Sequence, residues 1–161
     1  MVANTSAFPV PDNRGLVVTR DFDAPRELVF ELWTTAAHLS RWFCPDGFTV
    51  ESCHVEFRGG GGFCICMRSP EGRDYWWRAT YREIAAPERI VFSSGLVGKD
   101  GKPCWDVLTT VTFGEVGAGT RITVEATVEA LYDPAAADDL AGMEEGWVQG
   151  LNHLAAYAAE F

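Results

Sequence analysis

The sequence predicts an α+β fold. It is an antiparallel β-sheet of six to seven strands packed on one long C-terminal helix, with two short helices between strands 1 and 2. Three observations carry this. Between residues 48 and 128, short alternating apolar segments are separated by tight Gly- and Pro-containing turns, the pattern of an antiparallel meander. Near the C-terminus apolar residues recur at spacings of three and four, the pattern of an amphipathic helix. The length of 161 residues, with 47% hydrophobic and 22% charged, suits a single domain with one sizeable core.

The elements follow in order. Residues 1–13, with Pro9 and Pro11, read as a flexible arm, leaving 14–161 as the domain. The arm has neither the basic nor the apolar stretch of a secretory signal, so none is expected. Residues 16–22 form the first strand. Asp23-Ala-Pro25 offers a helix cap followed by proline in the first turn, and Leu28, Val29, Leu32 and Trp33 follow at helical spacing. Residues 36–42 form a second short helix, stopped by Pro45 and Gly47.

The meander comprises residues 48–57, 63–68, 75–84, 89–93, 105–113 and 121–128, with turns at Gly59–Gly62, Pro70-Glu-Gly72, Ala86-Pro87, Lys99-Asp-Gly101 and Gly117–Gly119. Parity identifies its buried face. Arg78 and Arg82 need water, so Trp77, Ala79 and Tyr81 point inward. The same logic turns Phe63, Ile65, Met67, Trp105, Val107, Val111, Phe113, Ile122, Val124 and Val128 inward. Asp133-Pro134 then caps the last helix, whose stripe is Leu140, Met143, Trp147, Val148, Leu151, Leu154, Ala155 and Ala158.

Charge narrows the partners. There are 23 acidic and 13 basic residues, a net charge of −10, and residues 133–161 carry six acids and no Lys or Arg. Nucleic acids need concentrated positive charge, so they are excluded as partners. No apolar run reaches the roughly 20 residues that span a bilayer. A cytoplasmic protein is expected. The five cysteines are odd in number and irregularly spaced, which predicts free thiols rather than a disulfide framework.

Local words sharpen the fold. Phe22-Asp-Ala-Pro25, Leu39-Ser-Arg-Trp42, Phe57-Arg-Gly-Gly60, Tyr81-Arg-Glu-Ile84, Pro87-Glu-Arg-Ile-Val-Phe92, Gly119-Thr-Arg-Ile-Thr123 and Ala141-Gly-Met-Glu-Glu-Gly-Trp147 occur in that order along residues 16–160. In these words the chain resembles the activator of heat-shock-protein-90 ATPase homologue family, within the START-like (SRPBCC, helix-grip) superfamily. The resemblance implies a curved sheet gripping the C-terminal helix, with a cavity between them. Family members include ligand carriers, polyketide cyclases and stimulators of the chaperone ATPase. The implied partner is therefore a small hydrophobic molecule or a chaperone.

The candidate site is the inward apolar set: Trp33, Trp42, Phe63, Ile65, Met67, Trp77, Tyr81, Phe92, Trp105, Met143, Trp147 and Leu151. Such a set is either plain core or the lining of a hydrophobic ligand pocket with a few polar tips. Binding of a small hydrophobic or aromatic ligand is the leading reading. A cyclase-like enzyme is the second, with Glu144, Tyr81 or His153 handling protons, and a chaperone-related interaction module the third. Gly142, Gly146 and Gly150 form a stripe flanking the apolar face of the last helix; Gly142 reads as a helix break, and either a neighbouring element packs closely on the stripe, which is the leading reading, or the helix leaves room there for a ligand or a bend.

No cofactor is implied. If Phe57 pairs with Phe63, His54 falls opposite Cys66 and Glu56 opposite Cys64. These are zinc-compatible ligand types, but on the solvent face, and no metal site is expected. The Gly59–Gly62 run lacks the following Gly-Lys-Ser/Thr of a phosphate loop, and no G-x-S-x-G marks a hydrolase.

Overall fold

The computed structural model describes residues 15–161; the arm expected at 1–13 lies outside the described residues. Strand β1 (Gly15–Phe22) is followed by helices α1 (Arg26–Glu31) and α2 (Ala36–Leu39). Six strands come next: β2 (Thr49–Val55), β3 (Gly62–Arg68), β4 (Asp74–Ala85), β5 (Arg89–Val97), β6 (Trp105–Val116) and β7 (Gly119–Leu131). A 3-10 turn (Pro134–Ala136) leads into α3 (Ala137–Ala141) and α4 (Met143–Ala158). All seven strands form one antiparallel sheet in the order β1-β7-β6-β5-β4-β3-β2. This is the expected helix grip.

Bulges shape the sheet. The register slips between Val50 and Ser52, Tyr81 and Glu83, and Asp106 and Val107. Each such slip bends a strand and raises its twist, which curves the sheet around the helix. The buried face follows the predicted parity: Phe63, Ile65, Met67, Ala79, Tyr81, Val111, Phe113, Ile122 and Val124 all enter the main core. Against them α4 lays Trp147, Leu151, Leu154 and Ala158. Burying a side chain of this size stabilises by roughly 1.5–3 kcal/mol, so this stripe, not helix propensity, fixes α4.

Three local expectations change. Pro25, not Asp23, occupies the cap of α1 in extended geometry, because the Val29 amide donates its first helical bond to the Pro25 carbonyl. The Asp133 cap serves the 3-10 turn rather than the last helix: its side chain accepts from the Ala135 amide, and α4 starts anew after the helix break expected at Gly142.

The β2–β3 register also shifts by two residues. Val55, not Phe57, pairs with Phe63, so His54 faces Cys64 and Ser52 faces Cys66. The connecting loop is longer than expected because Glu56, Arg58 and Gly61 hydrogen-bond within it and to Gly62. Among the described residues no three His, Cys, Asp or Glu side chains converge as metal ligands do.

Candidate functional site

The buried apolar residues divide into two clusters. The larger contains Trp33, Trp42, Phe92, Trp147 and Leu151, and the smaller contains Leu96, Trp105, Val107 and Leu140. Trp77 and Met143 pack against both. At this seam the sheet and helix do not fill the interior, and a cavity of about 280 Å³ remains. That lies just under the range of about 300–1,000 Å³ typical of sites for drug-sized ligands.

Four strands supply the cavity floor: Met67 from β3, Tyr75 and Trp77 from β4, Leu96 from β5 and Trp105 from β6. Trp42, Phe43, Cys44, Pro45 and Phe48, between α2 and β2, form one wall. The roof is Met143, Gly146, Trp147 and Gly150 of α4, and Gly142, Asp138 and Asp139 border it as well, Asp138 and Gly142 being solvent-exposed. The rings meet mostly edge to face: Trp77 on Trp105 at 6.0 Å, and Phe43 on Trp147 at 5.6 Å.

Of the residues expected to line a pocket, Trp42, Met67, Trp77, Trp105, Met143 and Trp147 do so. Trp33, Phe63, Ile65, Tyr81, Phe92 and Leu151 do not; they are buried in the main core. The reason lies in α1 and the second half of α4. Phe30 packs on Phe57 and Phe113, and Trp33 stacks at 6.1 Å on Trp147, so no space remains at that end.

The proton-handling candidates also lie elsewhere. Glu144 is exposed, on the same stripe of α4 as Val148 one turn later, and Val148 is itself 37% exposed. Val148 thus stands at the edge of the apolar stripe, and Glu144 shares its outward side. Tyr81 stands further along β4, between Phe57 and Phe63, and burial holds its phenol well above the usual tyrosine range. His153 is a clamp. Its Nδ1 lies 2.9 Å from the Cys44 carbonyl and its Nε2 lies 2.6 Å from an Asp46 carboxylate oxygen. Both partners are acceptors, so both bonds form at once only when both ring nitrogens carry protons. One residue turn earlier on α4, Gln149 Oε1 accepts from the Asp46 amide at 2.9 Å. Together they fasten the loop wall to the helix.

The glycine stripe also differs from expectation. Close packing is not its basis. A Cβ at Gly146 would come no nearer than 4.0 Å to Pro45, and one at Gly150 no nearer than 4.0 Å to the Trp42 carbonyl. The missing side chains instead leave the roof open. Each glycine costs roughly 0.8–1 kcal/mol against alanine inside a helix.

Polar atoms are few. Trp42 Nε1 donates to the Leu32 carbonyl at 3.0 Å, whereas Trp77 Nε1 and Trp105 Nε1 are buried with no partner. Cys44 lines the cavity and Cys104 belongs to the smaller cluster, and burial raises both thiols above their ordinary values. All five cysteines are free. No described helix is long and apolar enough to cross a membrane.

Among the lining residues, Phe43, Cys44, Pro45 and Phe48 of the loop between α2 and β2, together with Tyr75 and Leu96, were not expected from the sequence. The loop has no periodicity to read, and its signal was only composition: Phe43, Pro45 and Phe48 are apolar residues in a segment that ought to be polar.

The geometry has many relatives. A crystallised protein of Nitrosomonas europaea is 23% identical, with a TM-score of 0.76 over 94% of this chain and 97% of that one. A protein of Arthrobacter aurescens solved by NMR is 26% identical, with a TM-score of 0.78 over 93% of this chain and 88% of its own. The AHSA1 protein of Silicibacter pomeroyi is 21% identical, with a TM-score of 0.74 over 90% of this chain and 97% of its own. No curated protein matches the chain. The family model described as Activator of Hsp90 ATPase homolog 1-like protein matches residues 23–159. With the seven-stranded sheet closed on its C-terminal helix, that match over most of the sequence makes the chain a member of this family and of its START-like fold.

Proposed function

We propose that this protein binds a small hydrophobic or aromatic molecule in the cavity between β3–β6 and α4. The observation that carries the reading is a void of about 280 Å³ in an aromatic interior, roofed by glycines where side chains would fit. A core left to pack for stability alone closes such space, because each unfilled methyl-sized gap costs about 1 kcal/mol. Here alanine would both fill space and favour the helix, so the hollow is maintained against stability. The cyclase-like alternative draws no support from this geometry, since none of Glu144, Tyr81 and His153 borders the cavity. The interaction-module alternative would rest on an apolar surface. The exposed large apolar residues Val17, Trp76, Val116, Val148 and Phe161 are scattered over separate elements.

The test is a thermal-shift screen of aromatic and lipid-like compounds on the protein and on Gly146→Leu. A ligand at 100 times Kd should stabilise by about 2.7 kcal/mol. Hits that vanish in the folded Gly146→Leu protein support the reading. A blank screen, or hits that survive the blockage, overturns it.

A further inference from the structure

We propose that the cavity selects organic cations: a ligand with an apolar body and an ammonium-type head directed towards Asp138 and Asp139. This rests on the cavity being a binding site and names its ligand class. Seven aromatic side chains line it, and among the described residues the two aspartates are its only charged lining residues. No Lys or Arg is among the described lining residues, and none of the ion pairs among the described residues uses Asp138 or Asp139.

The rings present the right chemistry. Trp77 Nε1 and Trp105 Nε1 are buried away from solvent, so neither indole offers its N–H to the space. An aromatic face is the negative pole of the ring quadrupole and attracts cations, most strongly for tryptophan. One ring of the wall already carries such a contact: the Arg73 guanidinium stands 4.6 Å over Tyr75. A carboxylate ligand finds no Lys or Arg among the described lining residues. The field at this end is negative as well. Besides burial, Asp133, Asp100 and Asp139 all act to raise the Cys104 thiol, whose residue belongs to the smaller apolar cluster with Trp105.

The experiment measures Kd by isothermal titration for three probes of similar size: benzyltrimethylammonium, its neutral carbon isostere neopentylbenzene, and 3-phenylpropionate. The cation should bind about tenfold more tightly than the neutral isostere, and the carboxylate most weakly. In Asp138→Asn/Asp139→Asn the cation's advantage should fall several-fold while neutral binding is unchanged. Raising the salt should have the same effect in the unsubstituted protein. Neutral or anionic probe binding as tight as the cation's overturns the charge preference but leaves the pocket standing. If none of the three binds, both inferences fall. An unchanged cation advantage in the double variant removes the role of the aspartates, and with it this proposal.

Discussion

The two ends of α4 cover the same sheet with opposite results. Leu151 and Leu154 belong to the main core with Phe63, Phe92, Val111 and Phe113, all nearly inaccessible to solvent. Around Gly142 and Gly146, one to two turns earlier, the aromatic residues are just as numerous but leave a hollow. Aromatic content therefore does not separate core from cavity. What differs is the helix side chain opposite each ring: Leu151, Leu154 and Ala158 at the closed end, Gly142, Met143 and Gly146 at the open one.

This contrast can be broken by truncation. Leu151→Ala should cost about 2–5 kcal/mol, because it removes fully buried atoms from a site with no room to relax. Met143→Ala, half-buried beside an existing void, should cost only about 1 kcal/mol. Urea unfolding of both variants checks this, and equal losses would mean that the open end is packed after all.

Filling is the complementary test. Gly146→Ala should stabilise by roughly 0.5–1 kcal/mol, since a Cβ there meets only Pro45 at 4.0 Å and the helix gains propensity. Chemical denaturation measures it. The same change at a tightly packed glycine would destabilise. At Gly95, for instance, a Cβ would collide with the Trp105 carbonyl.

Asp46→Asn removes the charge from the His153 clamp. It should cost about 0.5–1 kcal/mol, as for a partly exposed pair, and should speed amide hydrogen exchange at residues 44–48 without changing exchange in β6 and β7.

The smallest effect is expected on the outer face of the sheet. Arg121, Arg68 and Arg89 hydrogen-bond Asp21, Asp74 and Glu83 and hold these carboxyls below their ordinary range. A carboxyl with a lowered folded value stabilises fully above the unfolded value, near about 4, and loses that contribution as pH falls through the folded value. Stability should thus decline below about pH 4, and Arg121→Gln should flatten that decline slightly.

How much of this could be read from the chain follows the physics of each element. Strand parity was legible because one face is dry and the other wet, so Arg78 and Arg82 oriented the whole of β4. The β2–β3 pairing was not, because a two-residue slip preserves parity and only the loop's internal hydrogen bonds select the register. Trp77, Trp105 and Trp147 border the cavity, whereas Tyr81 and Phe92 share the face of Trp77 and Trp105 but belong to the filled half. Alternation reports which side of a sheet a residue takes, not how far the opposing helix stands from it. The glycine stripe held that missing information, and only the open space around Gly146 and Gly150 revealed its meaning.

The distribution of indoles has an optical consequence. Of six tryptophans, Trp42, Trp77, Trp105 and Trp147 border the cavity, and Trp33 stacks directly on Trp147. Only Trp76 stands well out in solvent, 45% exposed. The protein's ultraviolet emission and near-ultraviolet dichroism therefore come mostly from the rings that a guest would touch. A guest entering the hollow displaces solvent from these chromophores and alters their coupling, so occupancy can be followed without a label.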